Sequence, residues 1–129
     1  MTIQAIKLKL LNDFFEVLET SVSEVGFITT IELNPYHIVF SGHFPGYPVT
    51  PAVIQLQIVH ELLEKYFCKN LKLISMLQCK FLKTLNPNET SQIVVHIEMI
   101  RIGELLHIKA WGENSSTIFF KLNSVYQFI

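Results

Sequence analysis

"TPAVIQLQIVHELLEKYF", Thr50 to Phe67, decides the fold. Val53, Ile54, Leu56, Ile58, Val59, Leu62, Leu63, Tyr66 and Phe67 leave little of a helical wheel polar. A helix that is apolar nearly all round is buried in a core, not laid on a surface. Thr50 fits an N-cap, and Pro51 fits the first turn, where a missing N–H costs no hydrogen bond. The remaining question is what covers such a helix.

Downstream the apolar period changes from helical to two and stays there. "LKLISMLQCKFLKTL" (71–85), "TSQIVVHIEMIRI" (90–102), "LLHIKAWGE" (105–113) and "TIFFKLNSVYQF" (117–128) read as long strands. Turns at "NPNE", Gly103–Glu104 and Asn114–Ser116 separate them, which describes an antiparallel meander. Upstream, Leu10, Leu11, Phe14, Phe15 and Leu18 have helical spacing, predicting a short amphipathic helix over 8–19. "SVSEVGFITTIEL" (21–33) alternates as one more strand, closed by Asn34 and Pro35. One buried helix and about five to six long antiparallel strands leave few arrangements, because the apolar face of the sheet needs a cover. The simplest is an α+β hot-dog fold, with a curved sheet wrapped around a long central helix.

The chain has 129 residues, which predicts a single domain over 1–129 with a core of its own. Half of its residues are hydrophobic and 16% are charged, so part of that apolar surface is expected to meet a second copy. A net charge of −1 with scattered basic residues argues against nucleic acid or an anionic membrane surface as partner. No apolar run reaches the ~18 residues of a membrane span. The first twenty residues do not read as a signal peptide, and the expected compartment is the cytoplasm. Cys68 and Cys79 lack metal-ligand spacing and read as reduced core thiols, so no metal or cofactor is expected.

The loop that feeds the helix carries the chemistry. His43-Phe44-Pro45-Gly46-Tyr47-Pro48-Val49-Thr50-Pro51 resembles the H-F-P-G-x-P-x-x-P-G signature of the 3-hydroxyacyl-[acyl-carrier-protein] dehydratases. "CKFLKTLNPNE" (79–89) resembles, more weakly, that family's F-x-x-P-V-x-P-G-D strand and turn. Dehydration beta to a thioester needs a base for the alpha proton, an acid for the departing hydroxyl and donors for the enolate-like oxygen. The resemblance implies that His43 is the base, an imidazole being suited to proton transfer near neutral pH. It implies that the Ala52 amide, at a helix start whose N–H groups lack intrahelical partners, cradles the thioester oxygen. Phe44, Gly46, Tyr47, Pro51, Ala52 and Val53 would line the substrate slot, with Tyr47 either gating it or packing on a partner subunit. The implied partners are an acyl-carrier-protein or coenzyme A thioester and a second copy of the chain.

Two positions depart from the family. Ala52 stands where it has glycine, and Gln57 stands where it has an acidic residue, fourteen positions after the histidine. An amide cannot hand over a proton near neutral pH. Loss of a general acid costs ~10²- to 10⁴-fold in rate. Gln57, His60, Glu61 and Glu64 form one polar stripe, and Glu61 lies one turn, about 5.4 Å, beyond Gln57. Glu61 is therefore either a displaced acid or half of a surface ion pair with Lys65. His37 reads as a loop or strand-edge residue, His60 as a partly buried structural one, and His96 and His107 as solvent-facing. Trp111, Phe119 and Phe120 read as core and sheet packing. Three functions stay open: a 3-hydroxyacyl-thioester dehydratase of lipid biosynthesis, a non-catalytic acyl-thioester-binding partner, and a thioesterase on the same fold.

Overall fold

A computed structural model describes residues 9–41 and 48–129. The strands are β1 (Phe15–Val22), β2 (Gly26–Leu33), β3 (Leu71–Phe81), β4 (Gln92–Ile102), β5 (Leu105–Asn114) and β6 (Thr117–Phe128). The helix α1 (Ala52–Phe67) lies between β2 and β3 in sequence. The strands form one antiparallel sheet in the order β1-β2-β4-β5-β6-β3. This is the expected α+β hot-dog arrangement.

Alternation along the strands builds the core. Ile93, Val95 and Ile97 of β4 and Leu106, Ile108 and Ala110 of β5 point inward and are buried. Ile54, Ile58, Val59, Leu62 and Leu63 of α1 belong to the same buried cluster. Gly112 continues the inward row, and a Cβ there would stand 2.4 Å from Cε1 of the buried Phe120 ring. The hairpin from β4 to β5 turns at Gly103, whose φ of 61° suits a residue without a side chain.

Several expectations are corrected. The helix expected over 8–19 is absent from the described residues 9–19: Leu10 to Phe14 make tight turns, Asn12 is left-handed, and from Phe15 the chain pairs with β2. Leu10 and Phe14 are buried as their spacing suggested, but Leu18 is exposed on β1. Cross-strand hydrogen bonding overrides the helical period here. The run 21–33 is accordingly two strands, with the turn at Ser23–Val25. The meander holds for β4, β5 and β6, whereas β3 crosses to pair with β6 at the sheet edge.

The N-cap of α1 is Pro51, one residue later than expected; its carbonyl accepts from the N–H groups of Ile54 and Gln55. Both cysteines are exposed instead of buried, Cys68 as the left-handed C-cap of α1 and Cys79 on β3. The helix is also less enclosed than its composition implies, since Ala52, Val53 and Tyr66 are exposed. No described helix is long and apolar enough to cross a membrane.

Candidate active site

The start of α1 is held by backbone stitching. The Thr50 N–H donates to the Leu85 carbonyl at 2.8 Å, which fixes the residues just before the helix against the segment after β3. That segment is itself set by Asn86, whose side chain accepts from Asn88 N–H and whose carbonyl accepts from Glu89 and Thr90. A cleft of about 320 Å³ opens there, lined by Val49, Thr50, Ala52, Gln55 and Phe81 to Thr84. Ala52 is the first helical residue, so its N–H has no intrahelical acceptor. Ala52, which the sequence resemblance sets at a glycine position, is exposed.

Two residues that line this cleft each carry a buried polar atom without a partner among the described residues. Thr50 and Gln55 are 2% and 3% exposed, and neither Thr50 Oγ1 nor Gln55 Oε1 is hydrogen-bonded there. Gln55 Nε2 donates to the Thr50 carbonyl at 3.1 Å, so the amide is oriented and its oxygen is left over. A buried unpaired polar atom costs about 1–3 kcal/mol, a penalty that a bound ligand, a water or a second chain can cancel. Sequence reasoning missed Gln55; its signal was an amide flanked by Ile54 and Leu56 on a helix that is otherwise apolar at this level.

Two clefts of about 410 and 480 Å³ lie on the outward side of β5 and β6, lined among others by Lys109 and Asn123. Neither touches the helix start. The smaller cleft is the better candidate on chemical grounds, because the helix-start residue Ala52 and the two residues that carry orphaned polar atoms, Thr50 and Gln55, line it.

Of the expected site residues, Pro51 and Ala52 stand at this helix start, with Val53 beside them. His43, Phe44, Gly46 and Tyr47 lie outside the described residues. Gln57, half-buried one turn further on, donates from Nε2 to Glu61 Oε2 at 3.0 Å. Glu61 is 6% exposed and does not form the expected surface pair. Its Oε1 accepts from the main-chain N–H groups of Leu10 and Leu11, both at 2.8 Å, and its Oε2 also lies 2.8 Å from the Leu10 nitrogen. The polar stripe therefore divides. Gln57 pairs with Glu61, which meets the segment before β1, while His60 and Glu64 hold Leu71 through its carbonyl and N–H, at 2.9 and 2.8 Å.

The other histidines are structural in their contacts. His37 accepts from Val39 N–H at Nδ1, so its Nε2–H donates to Asp13 Oδ2 at 2.9 Å. His96, expected to face solvent, is instead half-buried; it lies 2.7 Å from Glu113 Oε1 and stacks on Trp111 at 4.7 Å. Cross-strand pairing explains the correction, since His96 is directly opposite Trp111. His107 is exposed, and Phe119 and Phe120 are core residues as expected. Among the described residues no three His, Cys, Asp or Glu side chains are grouped to hold a metal.

A family model described as ApeI-like, ApeI dehydratase, matches residues 19–117. The chain belongs to the ApeI-like dehydratase family. A chain of the dehydratase heterocomplex ApeI:P from Xenorhabdus doucetiae superposes with a TM-score of 0.69 at 18% identity, over 87% of this chain and 96% of that one. An uncharacterized protein from Erwinia carotovora subsp. atroseptica gives 0.68 at 17% identity, over 88% and 95%. A conserved protein from Pseudomonas aeruginosa gives 0.65 at 8% identity, over 96% and 95%. At these identities the structural likeness carries the fold. The ApeI-like match spans Ala52, Gln57 and Glu61 but not Leu10 and Leu11, which precede it.

Proposed function

We propose that this chain is a 3-hydroxyacyl-thioester dehydratase subunit whose substrate is carried on acyl carrier protein or coenzyme A, in lipid biosynthesis. The observation that carries the reading is the helix start at Ala52, beside a cleft lined by two residues with orphaned polar atoms, in a dehydratase-family chain. The thioester oxygen would accept from the Ala52 N–H, where developing negative charge also meets the positive end of the helix dipole. His43 would take the proton from C2 as the C2–C3 double bond forms. The C3–O bond breaks, and the hydroxyl leaves as water once it receives a proton. Gln57 would orient that hydroxyl without supplying the proton.

Proton balance favours a mixed assembly as a second reading. With an amide at Gln57, two copies of this chain bring no acid to the family's position, and the proton would have to return from the His43 imidazolium. A different subunit could bring a carboxyl group instead, and one relative of this fold was solved as a dehydratase heterocomplex. Dimer formation itself is supported by the partly exposed helix and by the outer edge of β3, which pairs with no other described strand and exposes Leu73, Ile74, Leu77 and Phe81.

The test is incubation of the purified chain with a 3-hydroxyacyl-carrier thioester, reading enoyl product and free thiol together. Enoyl product that disappears in His43→Ala supports the dehydratase. Free thiol without enoyl product points to hydrolysis and overturns it. Neither product alone, but enoyl product after addition of a carboxyl-bearing family member, establishes the mixed assembly.

A further inference from the structure

We propose that Glu61 is a positioning residue, turning the oxygen end of Gln57 away from itself, and that it holds this place through the docked Leu10–Leu11 segment. The inference rests on the dehydratase reading only for its effect on rate; the coupling between the three groups stands on geometry.

The two Glu61 oxygens face three N–H groups: Leu10, Leu11 and Gln57 Nε2. A carboxylate offers only lone pairs, so the Gln57 amide must present nitrogen to it, which removes the usual ambiguity between amide oxygen and nitrogen. Oε1 of Gln57 is thereby directed away from Glu61. An amide tied in this way acts as an oriented acceptor at the position where the family has an acid. The carboxylate in turn is fixed by successive backbone amides of a segment about fifty positions away in sequence. Its tight turns anchor that segment: Leu10 is fully buried, and its carbonyl accepts from Asp13, Phe14 and Phe15. A side chain gripped by main chain has one available geometry, and the residue bonded to it inherits that constraint.

The expected signature is non-additivity. Glu61→Gln should lower the rate of enoyl formation about tenfold, yet should change it little when Gln57→Leu is already present. A purely structural Glu61 would cost the same in both backgrounds, and that result overturns the proposal. The Gln57 side-chain amide resonance, assigned by its loss in Gln57→Leu, gives a readout independent of chemistry. It should shift in Glu61→Gln and in Leu11→Pro, which removes one of the two main-chain donors. An unmoved resonance in the folded Glu61→Gln variant refutes the coupling. If the unaltered chain forms no enoyl product, either alone or with a carboxyl-bearing family member, the dehydratase reading fails and the resonance alone decides.

Discussion

Glu61 holds the Leu10 N–H between its two carboxylate oxygens, each 2.8 Å from the nitrogen, across a sequence separation of 51 residues. This contact joins the central helix to the segment that leads into β1, and it lies beside Gln57. Among the described residues no cation pairs with this buried carboxylate; backbone donors take the place that solvent would otherwise fill.

Glu61→Leu should therefore destabilise the protein by about 2–3 kcal/mol, because the Leu10 and Leu11 N–H groups lose their acceptor inside the structure. Glu61→Gln keeps one acceptor oxygen and should cost roughly half as much. Hydrogen exchange locates the damage: the Leu10 and Leu11 amides should lose protection, while those of Val94 and His96 on β4 keep theirs. Equal protection at Leu10 in the variant and the parent would remove the anchoring role.

Gln57→Glu would set two carboxyl groups about 3 Å apart, on the geometry of the present amide–carboxylate contact. Like charges at that distance raise one carboxyl pKa above its unfolded value of about 4.3. The sign follows from linkage. Below the unfolded pKa the pair carries no repulsion, and stability is lost as pH rises through the elevated folded pKa. Relative to the parent chain, Gln57→Glu should lose about 1–3 kcal/mol between roughly pH 4 and pH 8. The double variant Gln57→Glu/Glu61→Gln should lack this extra slope. Urea unfolding at both pH values measures the difference, and a slope surviving in the double variant would place its source elsewhere. The same raised pKa supplies a protonated carboxyl near neutral pH, so enoyl formation should rise in Gln57→Glu.

Much of this was legible in the sequence. The period-two runs marked β4, β5 and β6 with their turns, because each strand has one buried face and its register is set by that face. The helix was legible from its apolar content. The β1 segment was not: Leu10 and Phe14 are truly buried at helical spacing, and only pairing with β2 and the left-handed Asn12 make it a turn and strand. Glu61 was legible as a candidate but not its partners, since main-chain donors leave no trace in residue types. Gln55 was hidden because what orients its amide is a main-chain acceptor, the Thr50 carbonyl, which residue types do not reveal either.

The outer edge of β3 should mediate self-association. Leu77 is 61% exposed on a strand that, among the described residues, is paired on one side only, by β6. A bare apolar edge templates further strand pairing, and a charge on it opposes that pairing. Leu77→Lys should shift the chain from dimer to monomer in analytical ultracentrifugation at micromolar concentration, with unchanged far-ultraviolet circular dichroism. A variant that stays dimeric would place the interface on another surface, such as the exposed start of α1.

Tyr126 provides an alkaline test of the core. It is 2% exposed, its ring lies 5.3 Å from that of His60, and burial pushes its phenol up to about 12. An unfolded tyrosine ionises near pH 10. Below about pH 10 both states keep the proton, so the contribution to stability is fully present. Between about pH 10 and 12 the unfolded chain releases its proton while the folded chain retains it. Stability then falls by about 1.4 kcal/mol per pH unit, roughly 2–3 kcal/mol in all. Tyr126→Phe keeps the ring and removes the ionisation, so subtracting its unfolding free energies from those of the parent isolates the effect from other groups. A difference that stays flat from pH 9 to about pH 11.5 would mean that the Tyr126 hydroxyl reaches water, and that β6 packs less tightly on α1 than its buried ring implies.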